Sequence, residues 1–242
     1  MKSITVSVGY SKLLALTLPR NAPHFERVLV VTSTTDDETP AVCDPFGNVD
    51  VLRTDAFYED GASLNKGKAL GQGVDLIELD GWFCVWDADT MLPADVEFDD
   101  AWRDDLQFWV GDRNRVGQVR QGTIATPWRR LCRNPADYDG SDDWSRWERY
   151  FDPEQPGYCQ FFHAADPALK PGPWFADNWI HAGGYDTDFL LRWPEHRRVW
   201  LAFDVLHLGE PARNWFGIGN EDKMAEMFRL RTELGFKREK LH

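Results

Sequence analysis

Strand-like and helix-like segments alternate four times within the first ninety residues of this chain, and that rhythm limits what it can fold into. Ile4 to Val8 alternates and is rich in β-branched residues, and Lys12 to Leu18 follows as a short helix that Pro19 is expected to stop. Arg27 to Thr32 reads as a second strand with Val-Leu-Val-Val at its heart, and Val49 to Arg53 as a third. Ser63 to about Asp75 carries Leu70 and Val74, with Ile77 just beyond, near helical spacing. Trp82 to Trp86 is a short aromatic and β-branched run, as a strand buried on both faces requires. Repetition of this kind predicts a mostly parallel α/β sheet with helices on both faces, in three layers.

The fourth strand runs straight into Asp87-Ala88-Asp89, followed by Leu92-Pro93. In open α/β sheets ligands bind at the carboxyl ends of the strands, so both carboxylates face the ligand crevice. Residues two apart in an extended segment point the same way, and Asp87 and Asp89 can therefore converge on one ion. Carboxylate oxygens suit hard cations such as Mg²⁺ or Mn²⁺, which take further ligands from water and substrate phosphates.

The chain of 242 residues suits a single large domain. Its net charge of −13 argues against a broad electrostatic grip on nucleic acid or an anionic membrane. Arginine clusters at Arg129, Arg130 and Arg133, and at Arg197 and Arg198, read either as solvated surface or as a phosphate patch. Cys43, Cys84, Cys132 and Cys159 lie far apart without a Cys-x-x-Cys pairing, which suggests neither a zinc ribbon nor a disulfide framework. No segment approaches the roughly 20 apolar residues that span a bilayer. Polar residues break any signal-peptide core in the first eighteen, and a cytoplasmic location is the expectation.

After Pro93 the rhythm changes. Prolines and tryptophans accumulate, and the expectation is irregular loops with short antiparallel strands such as Gly157 to Phe162 and Val199 to Leu208. Gly219 to Leu234 reads as an amphipathic packing helix, with Met224, Met227, Phe228 and Leu230 on or near one face. The expected organisation is one domain over 1–242, with 1–95 forming one half and 96–242 the other.

Asn65-Lys66-Gly67-Lys68-Ala69, then the apolar strand, then Asp87-Ala88-Asp89-x-x-Leu92-Pro93, resembles the nucleotide-sugar-binding half of GT-A glycosyltransferases, especially family 2-like members. The resemblance implies a GT-A type, Rossmann-like fold with an irregular, Trp-rich acceptor half. It also implies a metal-dependent transferase that moves a sugar from a UDP- or GDP-sugar to an acceptor hydroxyl. Gly183-Gly184-Tyr185-Asp186-Thr187-Asp188 is similar to the family's Gly-Gly acceptor loop joined to its Glu-Asp-x-Asp helix start, with Tyr185 in place of the Glu. By that match Asp186 is the catalytic base of an inverting enzyme, with Asp188 and Asp177 as competitors. Val205-Leu206-His207-Leu208-Gly209 is similar to the late segment that supplies a third metal ligand, here His207 beside Asp87 and Asp89.

Under the same resemblance, Gly9, Tyr10, Asp36, Asp55, Asn65 and Lys66 are donor contacts. Gly9 lets the backbone approach the nucleotide, Tyr10 covers the base, and the carboxylates accept from ribose or base. Lys66 or Lys68 meets the diphosphate as a point charge. The acceptor is a glycan, a small molecule or, less readily in so acidic a chain, nucleic acid, and Trp174, Trp179 and Trp215 are the indoles singled out for it. Two other enzyme classes fit the sequence less well. A sugar-nucleotide nucleotidyltransferase would carry a Gly-rich basic loop after the first strand, where this chain has Gly9-Tyr10-Ser11-Lys12. A dinucleotide oxidoreductase would need a third glycine that Gly71-x-Gly73 lacks. A non-catalytic nucleotide-sugar or carbohydrate-binding protein of the same fold stays open because of Tyr185.

Overall fold

The computed structural model describes residues 1–78, 80–96, 107–109, 116–118, 122–150, 157–170, 172–179 and 181–210. Its first half is the expected parallel sheet. Strand β1 (Lys2–Val6) lies between β2 (Arg27–Ser33) and β4 (Trp82–Asp87), and β2 carries β3 (Val49–Thr54) on its outer edge, all parallel. Helices α1 (Ser11–Asn21), α2 (Glu38–Cys43) and α3 (Lys66–Leu76) are the crossovers. Alternate side chains of each strand go to opposite faces. Val28, Val30 and Trp86 meet Leu14 and Leu18 of α1 and Cys43 of α2, whereas Ile4, Leu29 and Val85 meet Leu70 and Val74 of α3. That division makes the three layers.

Two local expectations shift. Helix α3 starts at Lys66 and not at Ser63, because the Asn65 side chain caps it by accepting from the Lys68 amide at 2.9 Å. Pro19 does not stop α1: it removes one helical hydrogen bond, yet the helix continues to Asn21. Beyond the proline, Asn21 is completely buried, donating to the Thr90 carbonyl and accepting from the Leu92 amide, each at 2.8 Å. Tertiary hydrogen bonds hold the last turn where the local rule predicts an end.

The second half is mixed rather than merely irregular. Strand β10 (Cys159–His163) runs antiparallel to β4 and joins it to β8 (Ile124–Cys132). Strand β11 (Arg198–Leu208) matches the expected Val199 to Leu208 to within one residue, but where antiparallel pairing was expected it pairs in parallel with β8. Its antiparallel partners are β5 (Thr90–Met91) and β6 (Gln107–Trp109); β7 (Val116–Gln118) pairs with β6, and β9 (Glu148–Tyr150) with β8. A short helix α4 (Tyr185–Leu190) packs beside α3. Its Phe189 packs edge-on against Phe162 and Trp193 and at a tilt against Phe175.

All four cysteines are buried and free. Among the described residues, no helix is long and apolar enough to cross a membrane. The helix expected at Gly219–Leu234 and Trp215 lie outside the described residues.

Candidate functional site

The carboxyl end of β4 is where the charged groups gather. The Asp87 amide donates to the Tyr158 carbonyl at 2.9 Å, which ties the end of β4 to the start of β10. Its carboxylate forms an ion pair with Lys66 at the first turn of α3. The Lys66 ammonium lies 5.2 Å from the ring centroid of Tyr185, a buried residue of α4. Burial alone would lower the pKa of Lys66, but Asp87 and Tyr185 carry it well above the ordinary lysine value.

Two glycines allow this convergence. A Cβ on Gly67 would collide with the Ala176 carbonyl oxygen, so the first turn of α3 packs on bare backbone. The Asn65 side-chain amide donates to the Asp177 carbonyl at 2.6 Å and secures the same contact. A Cβ on Gly157 would collide with the side chain of Asp186. With no side chain there, the Gly157 amide donates to Asp186 at 3.1 Å, and the Thr187 amide donates to the other oxygen at 2.8 Å. Asp186 stands second in α4, with Gly184 as the capping residue, so it is not an N-cap. Burial, then the charge of Asp87, raises its pKa above the usual carboxylate range.

Asp89 lies two residues past Asp87 and meets β11. Its Oδ1 is 3.5 Å from Nδ1 of His207, which is 5 % exposed. Asp89 Oδ1 and both ring nitrogens of His207 are buried without a hydrogen-bond partner. Buried polar atoms are nearly always satisfied, and here three without a partner lie together. Burial raises the Asp89 pKa, with His207 and Lys66 opposing and Asp87 adding to the shift. A carboxylate and an imidazole suit Mn²⁺ or Mg²⁺ in their donor chemistry, and such ions commonly use one or two protein carboxylates plus substrate oxygens. Among the described residues no three His, Cys, Asp or Glu side chains converge as a ready-made metal site. Asp87 is turned to Lys66 instead.

Other sequence-predicted residues fall into two groups. Asp36 accepts from the Gly9 amide (3.0 Å), the Thr32 hydroxyl (2.9 Å) and the amide and hydroxyl of Thr39 (3.0 and 2.8 Å). Burial would raise its pKa, but these bonds take it below the ordinary value. Its carboxylate thus organises the loop bearing Gly9 and Tyr10. Tyr10 is half-buried against the core on the α1 side, and exposed Asp55 accepts from the Thr34 hydroxyl. Lys68 is paired with Glu59 and Asp60, away from Asp87.

Asp188 is exposed and accepts from the Trp179 indole at 3.0 Å. Trp174 packs edge-on against Phe83 and Phe162. Of the arginine cluster, Arg129 lies between the rings of Tyr150 and Tyr158, and Arg130 and Arg133 pair with carboxylates.

Sequence reasoning passed over Gly157, Tyr158, Thr17 and Asn21. The first two contact the site through main-chain groups, which leave no residue-type signal. Thr17 and Asn21 do leave one: both are polar residues one turn apart on the helix face that carries Leu14 and Leu18.

No protein-family model matches the chain, and no curated protein matches it in sequence. Solved structures match the fold. Glucosyl-3-phosphoglycerate synthase from Mycobacterium tuberculosis, in complex with Mn²⁺, UDP and glucosyl-3-phosphoglycerate, is similar at 16% identity and a TM-score of 0.53, covering 97% of this chain and 79% of that one. The same enzyme with Mn²⁺, UDP-glucose and phosphoglyceric acid gives 14% identity and a TM-score of 0.52 over the same shares. The inositol-1-phosphate CTP transferase from T. maritima, at 12% identity, covers 93% of this chain and 95% of that one with a TM-score of 0.45, too loose to bear on the reaction. At these identities the likeness establishes architecture alone: the chain has a GT-A type, Rossmann-like α/β fold.

Proposed function

We propose that the protein is a metal-dependent glycosyltransferase that moves a sugar from a UDP- or GDP-sugar to an acceptor hydroxyl with inversion at the anomeric carbon. The observation that carries this reading is the meeting, just past β4, of a buried Asp89 Oδ1 and the buried ring nitrogens of His207, all three without a hydrogen-bond partner. The GT-A type fold supports it, as does the Mn²⁺–UDP complex of a structural neighbour. Asp89 and His207, joined by Asp87, are the residues that would hold Mn²⁺ or Mg²⁺. When bound, the ion acts as a Lewis acid toward the departing diphosphate, whose charge grows in the transition state.

The chain's own groups do the rest. Lys66 is the positive charge beside Asp87, and it turns from that carboxylate to the donor diphosphate when the donor binds. Asp186 takes the proton of the acceptor hydroxyl. Its raised pKa makes it a stronger base than an ordinary aspartate, and the Gly157 and Thr187 amides hold it in one orientation. Direct attack from the side of Asp186 inverts the anomeric configuration.

The test is a panel of UDP- and GDP-sugars with hydroxyl acceptors in Mn²⁺, followed by NMR of the product anomer. Inverted product that disappears in Asp186→Asn is the expected result. Retained configuration would reassign the base, and tight donor binding without turnover across the panel would identify a binding protein instead.

A further inference from the structure

Among the described residues strand β5 pairs with one strand, β11: Leu206 pairs with Met91 and His207 with Thr90, and the Leu208 amide donates to the Asp89 carbonyl at 2.8 Å. A free strand edge leaves main-chain groups that must find partners when buried. Here they find side chains of α1. The Thr17 hydroxyl donates to the Ala88 carbonyl at 2.7 Å, and Asn21 takes both the Thr90 carbonyl and the Leu92 amide at 2.8 Å. These main-chain groups belong to alternate residues, 88, 90 and 92, so they lie along one edge. Thr17 and Asn21 are one helical turn apart, and both are completely buried. Helix α1 therefore serves 88–92 as a second neighbouring strand would.

We propose that Thr17 and Asn21 are positioning residues for the metal-binding turn, fixing Asp89 against His207 without touching a ligand themselves. This inference rests on the metal-dependent reading above. Partners of metal ligands commonly change affinity by roughly 10- to 100-fold when removed. The main-chain clamp on Ala88 and Thr90 flanks Asp89 on both sides, and loss of it frees the carboxylate to rotate away from the imidazole.

The experiment uses the full chain and Mn²⁺ alone. Mn²⁺ affinity is measured by electron paramagnetic resonance of the free ion, with the urea midpoint recorded for each variant. Thr17→Val is expected to weaken Mn²⁺ by about 10-fold or more, and Thr17→Ser to restore it. Asn21→Ala is expected to do the same and to speed amide exchange at Leu92; should it fail to fold, Thr17→Val still decides.

A lowered urea midpoint with unchanged Mn²⁺ affinity in Thr17→Val overturns the positioning role and leaves the metal reading intact. Wild type that binds no Mn²⁺, or an Asp89→Ala variant that binds it as well as wild type, overturns both.

Discussion

The carboxyl ends of β2 and β4 each bring an aspartate to the same rim of the sheet, and the chain treats the two oppositely. Asp36 receives four hydrogen bonds from Gly9, Thr32 and Thr39, and its pKa falls. Asp89 is half-buried, with one buried oxygen orphaned beside an orphaned imidazole, and its pKa rises. The first carboxylate is a fastener within the fold. The second keeps one buried oxygen without a hydrogen-bond donor, an arrangement a folded chain keeps only at a cost in stability. Two aspartates at strand ends of one rim thus differ in the state of their lone pairs.

The sharpest way to break this contrast is to remove both side chains. Asp89→Ala is expected to cut metal-dependent turnover by about 10³-fold while leaving the urea midpoint equal or higher, since a poorly compensated buried charge is lost. A large fall in the midpoint would show that Asp89 is architectural like Asp36. Next in size is Gly157→Ala, whose added methyl must displace the Asp186 side chain. Turnover should fall about 10²-fold, toward that of Asp186→Asn, with donor affinity retained in isothermal titration. Asp36→Ala should lose about 2 kcal/mol in urea titration, a figure already reduced for its partial exposure.

The two aspartates also differ in the sign of their pH dependence. Asp36, with a depressed folded pKa, contributes stability above its unfolded value near 3.9, and loses it as pH falls through the folded value. Asp89, with a raised folded pKa, acts in reverse: its contribution is present at low pH and is lost as pH rises through the folded value. Comparing urea midpoints of Asp36→Asn and Asp89→Asn with wild type between about pH 3 and pH 7 should show differences of opposite slope. The smallest effect is Lys68→Ala, which should leave both turnover and the urea midpoint unmoved because its partners are exposed carboxylates.

Legibility in the sequence followed how local each determinant is. Trp82–Trp86 could be read as a buried strand because all five residues are apolar, and the parallel first half follows from successive strand-helix units. Helix α1 was expected to end early because Pro19 is a local signal and the Asn21 bonds to Thr90 and Leu92, about 70 residues away, are not. Strand β8 left no alternating pattern: Pro127, Arg129 and Arg130 interrupt it, and Arg129 is buried between two tyrosine rings. The partner of β11 could not be read at all, since strand pairing at that distance is set by packing.

At the site the same division holds. Asp87, Asp89 and Lys66 announce themselves by residue type and spacing, whereas the exchange of Asp87 toward Lys66 is a matter of three-dimensional competition.

Gly67 has a consequence for how such a molecule can be recombined. Because the Ala176 carbonyl occupies the space of a side chain at position 67, the first half, 1–95, and the segment around 176 interlock like a key cut for one lock. A chimera that grafts a foreign second half onto this first half must bring a main chain of the same path to that point. Exchange of whole halves is therefore constrained by one missing methyl group at the first turn of α3.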